Sequence, residues 1–182
     1  IRARAGDARP VWALGPERVS AYFPRELLDA ARIVVVDEVP IPPLRSWGLD
    51  ELTAFETAPA SRITYGEVIF VRRGEESSES LIFHELIHVV QWRRLGMNMF
   101  LLMYAILLLQ DGYTGSPLEE IAYDLQRRFD TSGRPFDACR EAEAHAVKLR
   151  RALRARSRAL WWLMPALRAL PGQRLVAPTA ER

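Results

Sequence analysis

Residues 81–90 read Leu-Ile-Phe-His-Glu-Leu-Ile-His-Val-Val, an apolar run broken by two histidines and one glutamate. Serines at 77, 78 and 80 offer N-cap oxygens before it, and Gly96 suits a stop after it, so the spacing predicts a helix from Leu81 to about Leu95. On a helix, His84 and His88 lie on one face, one turn apart. Apolar residues surround the motif and make this a half-buried helix, in which imidazoles and a carboxylate are costly unless partnered. A metal ion partners both histidines at once, because two neutral imidazole nitrogens can meet one zinc ion at about 2.0–2.1 Å each. Glu85, next to the first histidine, is then placed to take a proton from an attacking water. With only 3 histidines in 182 residues, chance would give this spacing in roughly 0.4% of such chains. The plainer alternative is a pair of satisfied core histidines with Glu85 on the surface.

A zinc site that does chemistry needs a third protein ligand and an open position. The chain offers Glu119, Glu120, Glu141, Glu143 and His145. Ser116-Pro117 starts a further predicted helix running to about Phe129, with Ser116 as cap and Pro117 in the first turn. Glu119 and Glu120 fall in that first turn, where the helix dipole favours acids regardless of any metal. Only one of them can be a ligand. Glu119 shares a helix face with Ala122, small enough for a close helix approach, and with Tyr123, which would point towards the metal. Glu119 is therefore the expected third ligand. Glu120, with Asp124 four residues on, is the alternative.

Around these helices the chain reads as mixed. A helix is expected from Gly15-Pro16-Glu17, interrupted at Pro24 and resuming towards Ala31. Ile33-Val34-Val35-Val36 is a β-branched strand ended by Pro40, Pro42 and Pro43. Asp50 is a candidate cap for a short helix through Phe55. Residues 62–65 and 67–72 form β-prone segments about Gly66, expected as a hairpin or bent strand, with Val68 to Arg72 presenting an edge to an extended peptide. Gly74 to Ser80 is read as a polar loop. Met97 to Gln110 reads as an apolar helix, Asp111 to Ser116 as a loop, Thr131 to Pro135 as a turn, and Asp137 to about Met164 as a long helix broken by Pro165. Strands early and helices late give an α+β fold, with a small sheet in the N-terminal part packed on a mainly helical C-terminal part. Residues 1–182 are taken as one domain: 1–80 mixed α/β, 81–130 the metal-site helices, 137–170 a basic helical part.

Composition enters where it excludes. Cys139 is the only cysteine, which rules out an internal disulfide and a cysteine-based zinc site. The apolar run Met99 to Leu109 is too short for a bilayer, which takes about 20 residues, so a soluble chain is expected. It begins at Ile1 and is read as processed or trimmed at that end. A net charge of +2 and the lack of a recognised motif argue against a nucleic-acid partner. From Ala144 to Ala180 there is no acid, while Lys148, Arg150, Arg151, Arg154, Arg156, Arg158, Arg168 and Arg174 follow one another. A solvated helix face explains this, and so does contact with a membrane surface through the Arg-rich stretch and Trp161-Trp162-Leu163-Met164.

The sequence His84-Glu85-Leu86-Ile87-His88-Val89-Val90-Gln91, then Arg94-Leu95-Gly96, then Pro117-Leu118-Glu119 with Ala122-Tyr123, resembles a group of small bacterial zincins with HELxHVxQ and PLExxAY helices. The group is similar in style to metallopeptidase-like domains of contractile injection systems, and more distantly to membrane-associated peptidases with an ExxAD motif. The likeness spans about Ile63 to Phe129. Where many zincins have Asp after the small residue of the second motif, this chain has Tyr123. The resemblance implies a zincin-like fold and a gluzincin-like site for one zinc ion on His84, His88 and Glu119, with Glu85 as general base for hydrolysis of a peptide or protein substrate. Tyr123, and after it His145, are the candidates to donate to the tetrahedral oxyanion. A helix-surface pairing with Glu141 is the plainer role for His145. Gln91 either touches substrate or holds the helix of the second motif. The contrasting reading keeps the zinc without catalysis, as a scaffold or a membrane- or partner-binding module.

Overall fold

The computed structural model describes residues 8–15, 17–41 and 60–156, apart from the side chains of 109, 111–114 and 156. The expected short helix at 50–55, and the Trp161-Trp162 segment with everything beyond Arg156, lie outside these residues.

Strands β1 (Arg9–Pro10), β2 (Arg32–Val36), β3 (Arg62–Tyr65) and β4 (Val68–Arg72) form one sheet in the order β1-β2-β4-β3. The β2–β4 pair is parallel and the other two are antiparallel. The expected hairpin is present: Tyr65 pairs with Val68 across a two-residue turn, Gly66-Glu67. Gly66 has φ 63°, and no other residue type in the described chain has positive φ. That combination is the type II′ turn, whose twist matches the strands it joins.

One expectation fails here. Val68–Arg72 is not an edge, because β2 and β3 flank it on both sides. Ile69, Phe70 and Val71 are all buried, so both faces of this strand are covered as well. Among the described residues the edge at this end is β3. Arg72 N–H donates to Ser61 O. By the alternation of antiparallel ladders, Ser61, Ile63 and Tyr65 bond to β4, while Arg62 and Thr64 direct their main-chain groups outward.

The first part of the chain differs too. In place of the expected helix from Gly15 there is one 3₁₀ turn, Val19–Ala21, preceded by another at Val11–Leu14 and followed by helix α1 (Arg25–Ala30). Pro24 does not interrupt a helix; it is the N-cap of α1, with extended backbone.

Helix α2 (Glu79–Leu95) carries the motif. Ser78 caps it, its Oγ accepting from Leu81 N–H at 3.3 Å, and Glu79, Arg93 and Arg94 complement the dipole. Every residue from Leu81 to Trp92 is buried. Helix α3 (Met97–Gly115) runs through the expected loop at 111–115. Helix α4 (Pro117–Thr131) follows, with Pro117 in its first turn. Ser116 caps it through its main-chain oxygen, which accepts from Glu119 and Glu120; its side chain makes no cap bond. Helix α5 (Ala138–Arg156) closes the described chain.

Helices α4 and α5 both pack along α2, and β3 lies against it from the sheet. The main core joins Ile33, Ile69 and Val71 of the sheet to Phe83, Leu86, Ile87 and Val90 of α2 and to Ala122, Leu125 and Phe129 of α4. Phe83 and Phe129 stack at 4.5 Å between centroids, with Tyr22 edge-on to both. The other sheet face buries Val34, Val36 and Phe70 with Val39. The result is α+β, a four-stranded sheet beside a mostly helical remainder. No helix among the described residues is long and apolar enough to cross a membrane.

Candidate metal centre

The polar residues of α2 form a seam against α4, and the pairings show the two helices running antiparallel. Ser80 Oγ bonds Asp130 Oδ2 at 2.8 Å, and Gln126 Nε2 bonds Ser80 Oγ at 2.9 Å. His84 Nδ1 meets Gln126 Oε1 at 2.9 Å, and His88 Nδ1 meets Gln91 Oε1 at 2.9 Å. Gln91 Nε2 donates to Leu118 O at 2.9 Å. Gln91 is fully buried, so of its two expected roles this geometry serves the second, holding the helix of the second motif.

These bonds fix the histidine tautomers. The Gln91 amide NH₂ is committed to a carbonyl, so its oxygen faces His88 Nδ1, which must carry the hydrogen. The Gln126 NH₂ is committed to Ser80, whose hydroxyl hydrogen goes to Asp130, so the Gln126 oxygen faces His84 Nδ1 in the same way. In the neutral imidazoles, the form that binds a metal, both Nε2 atoms are then left with lone pairs. They stand 3.1 Å apart. Glu119 Oε2 lies 3.5 Å from His84 Nε2 and 3.4 Å from His88 Nε2, and it is buried with no hydrogen-bond partner. Three possible ligand atoms thus face one another inside the core, on residues that are all buried. A tetrahedron with bonds of about 2.0–2.1 Å has edges of about 3.3–3.4 Å. The observed triangle of 3.1, 3.4 and 3.5 Å fits that size.

Charge follows the same geometry. Burial alone would lower the His88 pKa, but the Glu119 carboxylate beside it prevails, with Glu85 and Gln91 adding, and raises it to about 9. Burial pushes the Glu119 carboxyl up, yet His88 and His84 together hold it well below the usual carboxylate range. In the metal-free protein a proton does the work of a cation at this spot. Tyr104 of α3 donates from its hydroxyl to Glu119 Oε1 at 3.2 Å, which leaves Oε2 as the oxygen facing the histidines.

Glu85 is buried rather than on the surface. Its ligand atoms lie within 4.8 Å of those of His84 and His88, and these three residues together could hold a metal ion. Its oxygens are engaged from β3: Arg62 Nε donates to Oε1 at 2.8 Å and Thr64 Oγ1 to Oε2 at 2.6 Å. Glu119 is nearer than Glu85 to completing the histidine pair, and its neighbour Glu120 is exposed. Tyr123 sits at the site, its ring 4.5 Å from that of His84, and is 36% exposed. His145 does not join the cluster. Burial, and Lys148 near it, lower its pKa against the pull of Glu120 and Asp124 on α4. Glu141 bonds Arg128 instead of His145.

Sequence reasoning missed Gln126, Ser80, Tyr104, Arg62 and Thr64 as partners of the site. Two carried a usable signal: Gln126 is seven residues past Glu119 and Ser80 four before His84, both on the facing sides of their helices. Compared with known protein families, curated proteins and solved structures, the chain matches none of them.

Proposed function

We propose that this chain is a zinc-dependent hydrolase of peptide bonds, with His84, His88 and Glu119 holding one zinc ion and Glu85 as general base. The observation that carries this reading is the buried triangle of two imidazole Nε2 atoms and one carboxylate oxygen, with sides of 3.1, 3.4 and 3.5 Å. Two histidines and a carboxylate suit zinc, and three protein ligands leave a fourth position open. Bound there, zinc polarises a carbonyl and makes water a nucleophile near neutral pH.

The protein's own groups do the rest. Each Glu85 oxygen keeps a second lone pair beside the bond it accepts, so the carboxylate can take a proton from the attacking water and hand it to the leaving amine. Arg62 and Thr64 fix its orientation. Tyr123, over His84 and open to solvent, is the proposed donor to the developing oxyanion. A long motif helix beneath a sheet edge supports a zincin-like reading of the fold.

One observation favours a second reading. Both Glu85 oxygens are already bonded, which is also what a non-catalytic metal site with a structural Glu85–Arg62 pair looks like. The two separate on one experiment. Elemental analysis of purified protein is expected to give about one zinc per chain, lost in Glu119→Ala and kept in Glu120→Ala. The zinc-loaded protein is expected to cut members of a mixed peptide library. Glu85→Gln is expected to keep its zinc and lose activity by about 10²-fold or more. Zinc without cleavage leaves the structural reading. Iron in place of zinc rejects the choice of metal, and no metal after zinc addition rejects the hydrolase.

A further inference from the structure

We propose that Gln126, Ser80 and Asp130 form a one-way hydrogen-bond relay that sets the tautomer and aim of His84, and through them how tightly this chain holds its metal. The inference rests on the metal reading above and names residues that reading does not need. Ser80 and His84 are one turn apart on α2, and Gln126 and Asp130 are one turn apart on α4, so the two pairs interleave across the helix interface.

The relay has a direction because only one arrangement of hydrogens satisfies it. Asp130 at its outer end is a carboxylate, which only accepts, so Ser80 must donate to it at 2.8 Å. The Ser80 oxygen is then the acceptor for the Gln126 NH₂ at 2.9 Å. That commits the Gln126 carbonyl oxygen to His84 Nδ1–H at 2.9 Å. Without Ser80 the amide is free to turn over and present NH₂ to His84. The imidazole would then be pushed to the tautomer that carries hydrogen on Nε2, which cannot bind a cation. His88 has no such chain: its partner Gln91 is fixed directly by the Leu118 carbonyl. The relay also reaches from the buried histidine to an exposed carboxylate, with Ser80 half-buried between them. Outer partners of this kind orient metal ligands, and their loss lowers metal affinity by about 10–100-fold.

The test is the zinc dissociation constant of the full chain, measured by competition with a chromogenic chelator, on wild type, Gln126→Ala, Ser80→Ala and Ser80→Thr. Urea unfolding of each metal-free form runs alongside. Gln126→Ala and Ser80→Ala are expected to weaken zinc about 10–100-fold, and Ser80→Thr, which keeps the hydroxyl, to restore wild-type affinity. The cobalt-substituted Ser80→Ala protein is expected to show an altered visible spectrum, which a purely structural role would not produce. Wild-type binding of zinc with unchanged affinity in Gln126→Ala and Ser80→Ala overturns the relay and leaves the metal site standing. Weakening that merely follows the loss of metal-free stability, and that Ser80→Thr does not rescue, overturns it as well. Failure of wild type to bind zinc removes the metal reading itself and the relay with it.

Discussion

At the scale of single residues, the site is a problem in placing cations. His88 and Glu119 are buried against each other, and without metal their attraction is satisfied by a proton on the imidazole. The folded His88 pKa, about 9, stands above the ordinary value of 6.5. Its contribution to stability is therefore fully present below pH 6.5 and is lost as pH rises through 9. Glu119, held low, contributes stability that is present above the ordinary carboxylate range and fades as the solution is acidified through its folded pKa. Urea midpoints of chelator-treated protein are expected to fall between pH 6.5 and 9, and Glu119→Gln to flatten that fall. A midpoint independent of pH over this window in wild type would show that the pair is not coupled. Which of the two adjacent acids faces the histidines was legible from Ala122 and Tyr123, since the small residue marks the side on which α4 approaches α2. The anchors of Glu85 were not legible. Arg62 and Thr64 are adjacent to it only through the pairing of β3, a long-range fact that no local pattern carries.

At the scale of elements, the helices were read from caps and periodicity, and their errors have local causes. The Asp-Gly-Tyr-Thr-Gly stretch carries turn residues, yet α3 continues through it to Gly115, because helix continuation and packing outweigh weak local preferences. The edge assigned to β4 failed for a related reason. A run of buried β-branched residues says that both faces are covered and does not say which strands stand beside it. The interface of α2 and α4 is where packing is most exposed to test. Phe129 is fully buried, stacks on Phe83, and has the Arg18 guanidinium over its ring. Phe129→Ala is expected to cost about 3–5 kcal/mol in urea unfolding, with the slope against denaturant unchanged. A loss under about 1 kcal/mol would mean that the cavity collapses and the core is looser than this packing implies.

At the scale of the whole molecule, the proposed metal joins parts of the chain that are distant in sequence. His84 and His88 come from α2 and Glu119 from α4, with α3 lying between them in the chain and supplying Tyr104. A ligand that binds only this assembled arrangement stabilises the fold by mass action, by about 2.7 kcal/mol at a hundred times its dissociation constant. Thermal unfolding is expected to shift upward with added zinc in wild type and not in Glu119→Ala. An equal shift in both proteins would place the binding elsewhere. The general architecture, strands first and helices after, followed from the sequence, because element types are set locally. The order of strands and the antiparallel approach of α2 and α4 did not, because both depend on which surfaces meet.

Helix α2 has no outward face between Leu81 and Trp92. Nearly every substitution there meets a packed neighbour, so the segment has few neutral paths along which to drift. The exposed sides of α4 and α5 have many. Over long descent a lineage of such proteins would keep this one helix recognisable while the surfaces around it diverged beyond recognition.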